Sequence, residues 1–234
     1  MIGLVIPAHD EGERIGATLR AVRRAAAHPA LAGEAVRIVV VLDSCADGTA
    51  RVVERHGVRQ LALGARNVGI ARAAGAADCL EAGARWLAFT DADTRVAPDW
   101  LAMQLAEAGE GADAVCGTVG VHDWKVHGSG AARLRRRFAR DYTARDGHRH
   151  VHGANLGVSA AAYLRAGGFA PLACSEDVAL VAALEAAGAR IAWSARPRVT
   201  TSARTDARAR GGFGDTLLAM AAVLAVPVAA ADAG

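Results

Sequence analysis

An α/β fold, with a mostly parallel central sheet covered by helices on both faces, is predicted by three observations on this chain of 234 residues. Apolar strand-like runs alternate with helix-like segments through the first half. Those runs are apolar throughout, not at every second residue, which is the pattern of strands buried on both faces. Length and composition also suit one large domain with a real core, since 53% of the residues are hydrophobic, much of that alanine. No internal repeat or linker marks a second independent domain.

The elements follow from local pattern. IGLVIPA reads as the first strand, and residues 11–27 as a helix with Ile15, Leu19 and Val22 on one face. VRIVVVLD is a fully buried strand, followed by the turn SCADGT and a short helix through His56. RQLAL is a third strand, and RNVGIARAAGAADCLEAGA a helix whose small residues permit close packing. WLAFTDAD is a fourth strand, PDWLAMQLAEA a helix with Pro98 near its first turn, and ADAVCGTV closes the series. Residues 122–152 break the rhythm, with five of the eight histidines and an arginine run that reads as a helix. GANLGVS, a helix to Ala166 and a helix over 176–187 restore it, and RIAWSA and RVTTSAR read as two final strands.

Charge and cysteines narrow the class. A net charge of +3 is too small to imply nucleic acid. The basic residues cluster, however: seven arginines stand against Asp141 and Asp146 in 133–149, and six against Asp206 in 190–210. Either cluster could grip an anion. The cysteines at 45, 79, 116 and 174 show no metal spacing, and Met1 leads straight into an apolar strand, so a cytoplasmic protein with reduced thiols is expected. Residues 216–231 are uncharged, short for a bilayer span and interrupted by Pro227. They predict a packed terminal helix, a peripheral contact with the inner face of the membrane, or a surface for self-association.

In parallel sheets ligands bind beyond the carboxyl ends of the strands. Those ends carry His9, Asp10 and Glu11, then Asp43 and Ser44, then Asp91 and Asp93. Two aspartates one residue apart repel unless a cation or donor offsets them. A solvated turn explains them blandly; a metal–diphosphate clamp or a phosphoryl-transfer nucleophile explains them sharply. The first turn, PAHDEGER, lacks the glycines of a dinucleotide site. DADTR also fits the signature of haloacid-dehalogenase-like phosphatases, with Asp91 as nucleophile. That nucleophile normally ends the first strand, and the required lysine could only be Lys125.

LVIPAHDEGERIGATL, VVVLDSCADGTA, ARNVGIARAAGAADCLEAGARWLAFTDADTRVAPDWL and HGANLGVSAAAYLRAGGF…EDVALVAALEAAGARIAWSA, in that order and spacing, closely resemble the family 2 glycosyltransferases of the GT-A fold. The resemblance covers roughly residues 2–215. It implies one GT-A domain over 1–215, with a Rossmann-like nucleotide-sugar-binding half (1–120) and an acceptor-binding, catalytic half (121–215), followed by an apolar tail (216–234). It further implies a nucleotide-diphospho-sugar donor, a hydroxyl acceptor, Mn²⁺ or Mg²⁺, and inversion by direct displacement.

By the same resemblance, Asp93 holds the metal and Asp91 the ribose or a metal-bound water. Oxygen ligands suit such cations, which stabilise the leaving diphosphate. Pro7, His9 and Glu11 edge the base and ribose, and Asp43 binds the base. Asp10 departs mildly from the family's usual Asn or Tyr. Arg66 and Asn67, opening a helix, meet a phosphate or base, or simply start the helix. Asp177, with Glu176 as second choice, is the general base, although a Ser-capped helix start is the bland reading of SED. A metal-binding His, which some GT-A enzymes have after the last strand, has no counterpart in VTTSARTDARARGGFG; Arg204, Arg208 and Arg210 could neutralise the diphosphate instead, with a solvated basic loop as the plainer alternative. His148, His150 and His152, at period two, would share one face of a strand and bind metal or line the acceptor pocket; ordinary, partly exposed histidines are the plainer alternative. A relative that binds without turnover, and a nucleotidyltransferase, stay open.

Overall fold

The structure is a computed structural model and describes residues 1–206 and 213–225. The apolar runs of the first half form β1 (Ile2–Ala8), β2 (Val36–Asp43), β3 (Arg59–Leu63) and β4 (Trp86–Phe89). Between them run α1 (Ile15–Ala26), α2 (Thr49–Arg55) and α3 (Val68–Glu81). A two-residue strand β5 (Arg95–Val96), α4 (Trp100–Gly109), β6 (Ala114–His122) and the arginine-rich α5 (Ala131–Asp141) follow. The chain then forms β7 (Leu156–Ser159), α6 (Ala160–Arg165), α7 (Glu176–Ala186), β8 (Ile191–Ser202) and α8 (Phe213–Ala225).

One sheet holds the described strands in the order β3-β2-β1-β4-β7-β6-β8-β5. Pairs β1–β2, β1–β4, β2–β3 and β6–β8 are parallel; the pairs made by β7 and β5 are antiparallel. The fold is thus α/β with a mostly parallel, mixed sheet. The central strands β1 and β4 are apolar throughout because both faces are covered. Ile2, Leu4 and Ile6 of β1 pack in one cluster with Ile15, Leu19 and Val22 of α1. Val5, Val39 and Val41 pack on the other face with Ala71, Ala76 and Cys79 of α3.

Small residues set how closely α3 approaches. A Cβ at Gly75 would stand 2.4 Å from a Val5 methyl carbon. At Gly69 it would stand 2.2 Å from the Ala170 carbonyl oxygen, while the Gly69 N–H donates to the Leu172 carbonyl at 3.0 Å. The first turn of α3 is therefore pinned to the loop that leads into α7.

Three local expectations change, and the packed terminal helix is met over the described residues. The first helix starts at Ile15, because the Glu11 carbonyl takes the N–H groups of both Arg14 and Ile15 and closes a turn first. The two final strands are one, β8, which runs through Pro197 where its register with β6 shifts between Cys116 and Thr118. The histidine run 148–152 lies outside any strand. The apolar tail enters a helix, α8, that begins at Phe213, with Leu217 fully buried. Among the described residues no helix is long and apolar enough to cross a membrane.

Candidate active site

A cavity of about 780 Å³ opens where β1, β2 and β4 end, within the size range of small-molecule sites. Its lining includes Pro7, His9, Glu11, Asp43, Arg66, Asn67, Asp91, Asp93, Glu176, Asp177 and Arg204, so the structure brings these sequence-predicted residues together. Arg208 and Arg210 lie outside the described residues.

The end of the cavity beside β1 and β2 is built by loop geometry. Asp10, Ser44 and Arg66 all adopt positive φ, at 51°, 55° and 47°. Asp tolerates that conformation, and the Asp10 carboxylate accepts the Ala46 and Asp47 N–H groups, which accounts for an aspartate here. His9 Nδ1 lies 2.8 Å from the Asp43 carbonyl oxygen. The Asp43 carboxylate accepts the N–H groups of Ala65, Arg66 and Asn67 at 2.7–2.8 Å. Burial opposes its charge, but those donors and the Ser44 hydroxyl outweigh burial and hold the carboxyl below its ordinary range. Asn67 is spent locally: its Oδ1 accepts the Ile70 N–H and its Nδ2 donates to the Pro171 carbonyl.

At the end of β4 the two aspartates differ. Asp91 is the more open, with 39% of its side chain exposed, and pairs with Arg72 Nη2 at 2.5 Å. Asp93 is 10% exposed and meets Arg204 Nε at 3.3 Å through Oδ2. Arg204 also pairs with Glu11 at 2.5 Å, so one guanidinium stands between two buried carboxylates. Burial pushes both Glu11 and Asp93 up from their ordinary values, while Arg204 pulls them back.

The cavity lining holds seven carboxylates against three guanidinium groups among the described residues. An added diphosphate meets net repulsion there unless further positive charge enters with it. The donor set suits a hard divalent cation: Asp91 and Asp93 supply oxygens, and Glu11 Oε2 is buried with no hydrogen-bond partner. Among the described residues no three His, Cys, Asp or Glu side chains are gathered as a ready-made metal cluster. On Asp93 the resident cation is Arg204. His122, at the end of β6, has a buried Nε2 without a partner; burial lowers its pKa, against the pull of Asp93.

The sequence reading missed Arg72. It sits on α3 in a run of small residues, where only its being a long cation among alanines and glycines could have marked it. Its side chain is 3% exposed, yet it pairs with Asp91 and, through Nε, with Glu176 at 2.9 Å. Gly153 lies flat against the guanidinium, where a Cβ would come within 2.5 Å of Nη2. The Phe169 ring centroid stands 5.9 Å from Cζ. Arg72 thus ties the first carboxylate of the D-x-D to the acidic pair of α7.

Within that pair the roles separate. Glu176 is buried, which pushes its carboxyl up, while Arg72 holds it back toward the charged form. Asp177 is half-buried and accepts the Gly153 N–H at 2.6 Å and the Val178 N–H at 2.8 Å, one on each oxygen. Ser175 adopts φ of 59° and makes no capping bond from its side chain, so the helix start is not the Ser cap that the sequence allowed.

The three histidines split as well. His148 is buried, at 3% exposed, and lies outside the cavity lining. The rings of His148, His150 and His152 nevertheless stack in succession, at 5.4 and 6.0 Å. Lys125 is exposed and outside the cavity lining, which leaves the phosphatase reading without its lysine.

Comparisons bear on this geometry. The structure resembles Staphylococcus aureus TarS 1–349 in complex with UDP-GlcNAc (TM-score 0.65, 16% identity), covering 95% of this chain and 65% of that one. It resembles the mannosyltransferase PcManGT of Pyrobaculum calidifontis, solved with GDP-Man and Mn²⁺ (0.63, 18%), over 88% of this chain and 58% of that one. Mycobacterium tuberculosis glucosyl-3-phosphoglycerate synthase, solved with Mn²⁺, UDP-glucose and phosphoglyceric acid, matches at 0.57 and 18%, over 95% and 76%. The chain thus spans about 65% and 58% of the first two proteins. A search of curated proteins gives no match. These likenesses establish the GT-A fold. The sequence itself matches the family described as Glycosyl transferase family 2 over residues 4–166, most of the chain, and the protein belongs to that family.

Proposed function

We propose that the protein transfers a sugar from a nucleoside-diphosphate sugar to an acceptor hydroxyl, with inversion at the anomeric carbon and a divalent cation, Mn²⁺ or Mg²⁺. One observation carries the reading: the D-x-D carboxylates and the acidic pair of α7 line the same cavity, joined by Arg72. The GT-A structures solved with a nucleotide sugar and Mn²⁺ support the donor class and the cation.

In this reading Pro7, His9, Glu11, Asp43 and Arg66 form the end that receives the base and ribose. Asp93, with Asp91, would hold the cation, which offsets the charge that develops on the departing diphosphate. Asp177 takes the proton of the acceptor hydroxyl as its oxygen bonds to the anomeric carbon. The bond from that carbon to the diphosphate oxygen breaks, and its electron pair leaves with the nucleoside diphosphate. A single displacement of this kind inverts the centre. Asp177 suits the role better than Glu176, which is buried and committed to Arg72. The unpaired cysteines and the absence of a spanning helix among the described residues favour a cytoplasmic enzyme.

Equilibrium binding of UDP, GDP and other nucleoside diphosphates, with and without Mn²⁺, tests the reading. Asp93→Ala is expected to abolish the Mn²⁺-dependent part of that binding, whereas Asp99→Ala, at the start of α4 and outside the cavity lining, leaves it intact. Unchanged metal dependence in Asp93→Ala removes the clamp. Arg204→Ala is expected to weaken nucleoside-diphosphate binding by about tenfold to a hundredfold, the worth of a charge-assisted contact of about 1.5–3 kcal/mol. Nucleoside binding should change far less. Equal small losses for both ligands mean that Arg204 only neutralises Glu11 and Asp93.

A further inference from the structure

α5 carries different chemistry on its two faces. On one, Leu134 is buried and Phe138 and Asp141 line the cavity. At about 100° per residue the opposite arc presents Arg135, Ala139, Ala132, Arg136, Arg140 and Arg133 in turn, all exposed. That arc holds four arginines and no carboxylate. Arg140 pairs with Asp141 at its edge, while Arg133, Arg135 and Arg136 make no ion pair with any described residue. Lys125 adds an exposed cation in the short 3₁₀ helix Trp124–Gly130, which packs on α5.

Apolar side chains gather at the same end. Among the described residues Ile70, Val126, Leu164, Leu172, Val178 and Val223 are the large apolar side chains left exposed. All but Leu164 stand around the mouth of the cavity. Val178 lines it, and Ile70 and Leu172 adjoin the lining residues Ala71 and Ala173. Val126 and Val223, 48% and 63% exposed, sit on Trp124–Gly130 and α8, which pack on each other and on α5. Beyond Asp215, α8 has no charged residue, and Ala219 and Ala222 are exposed on the same arc as Val223. α1 also turns arginines outward, at Arg20, Arg23 and Arg24. The elements packed on it, α2, β5 and α4, leave no large apolar side chain exposed. Cations and exposed apolar groups come together at α5.

We propose that this rim docks the protein on an anionic lipid bilayer, and that the cavity thereby opens at the membrane surface. Docking of this kind goes beyond the transferase reading and stands without it. The arginines on the outer arc of α5 meet lipid phosphates, while Val126, Val223 and the α8 alanines reach the boundary of the acyl chains. Exposed apolar groups rimmed by charged ones mark such surfaces. The contact is peripheral, since no helix among the described residues is long and apolar enough to span. A nucleic acid fits less well. Single strands need exposed rings for stacking, and the exposed apolar set holds valine, leucine and isoleucine alone.

Vesicle binding tests it, with no nucleotide present. The full chain is titrated with vesicles of phosphatidylcholine alone and of phosphatidylcholine mixed equally with phosphatidylglycerol, and bound protein is read by co-flotation. Binding to the anionic vesicles is expected to be at least about tenfold tighter, and to weaken as salt rises. Arg133→Gln, Arg135→Gln and Arg136→Gln together should lower that affinity by about a hundredfold, at about fivefold per cation. These side chains are exposed and glutamine keeps the helix propensity, so the thermal melt should not move. Val223→Asp should weaken binding to the anionic vesicles while keeping its salt dependence. Equal binding to both vesicles, or no binding to either, overturns the proposal, as does wild-type affinity in the triple variant or in Val223→Asp. A lipid-free dimer that Val223→Asp dissociates, in a chain that ignores vesicles, hands the face to a second copy. Tighter binding of duplex RNA than of anionic vesicles hands it to nucleic acid.

Discussion

Arg72→Met is expected to cost about 3–5 kcal/mol of stability and to remove transfer activity. Removing one partner of a buried ion pair leaves the other as an uncompensated buried charge, and that is the source of the magnitude. Here two carboxylates lose their partner. Glu176 is 6% exposed and loses the guanidinium that counters its burial; Asp91 is 39% exposed and can turn to water. Without Arg72 the Glu176 carboxyl moves further up. A carboxyl whose folded pKa is raised takes stability away as pH climbs above its unfolded value of about 4.3. The melting-temperature gap between wild type and Arg72→Met is therefore expected to narrow as pH falls from 7 toward 4.5. A gap that widens on acidification removes Glu176 from the explanation. Arg72→Lys keeps the charge but loses the fork that reaches two carboxylates at once, so it should recover stability better than turnover. Equal recovery of both reduces Arg72 to a stabilising ion pair.

Asp177→Asn should lower turnover by about 10²–10⁴-fold while donor affinity stays nearly constant, the range that positioned general bases contribute. The substitution keeps the side chain's size. An amide oxygen can still accept the Gly153 N–H, so the loop geometry is spared. Glu176→Gln separates the pair differently, because it also weakens the contact with Arg72 and should cost stability as well as rate. Near-normal turnover in Asp177→Asn together with collapse in Glu176→Gln exchanges their roles. Near-normal turnover in both moves the search to His150 and His152, which line the cavity together with His9.

The first half of the fold was legible because burial on both faces of a parallel sheet writes itself as uninterrupted apolar runs. The carboxylates at the strand ends were legible for the same reason: the topology fixes where β1, β2 and β4 terminate. Arg72 was not. Nothing in IARAAG says that its one long side chain turns inward, since its two carboxylate partners come from segments 19 and 104 residues away. The double duty of Arg204 is equally long-range, with Glu11 193 residues distant. Helix periodicity could not reveal the histidine ladder either. Its spacing of two fits a strand, yet the rings are ordered by stacking with Tyr142 in a segment without regular secondary structure.

The position of β7 constrains how the protein can move. β4, which leads into Asp91 and Asp93, is paired along one edge with β1 and along the other with β7, from Trp86 opposite Ser159 to Phe89 opposite Leu156. The part of the sheet built from β1–β3 and the part built from β6–β8 are thereby zipped together along the very strand that leads into Asp91 and Asp93. A hinge between them would have to tear that ladder open in the middle of the sheet. Clamshell closure would cost that ladder, which leaves gating on substrate entry to the periphery, to the loops around Asp10, Ser44 and Ser175 and to α8, whose Phe213 rests against Phe138 and His152.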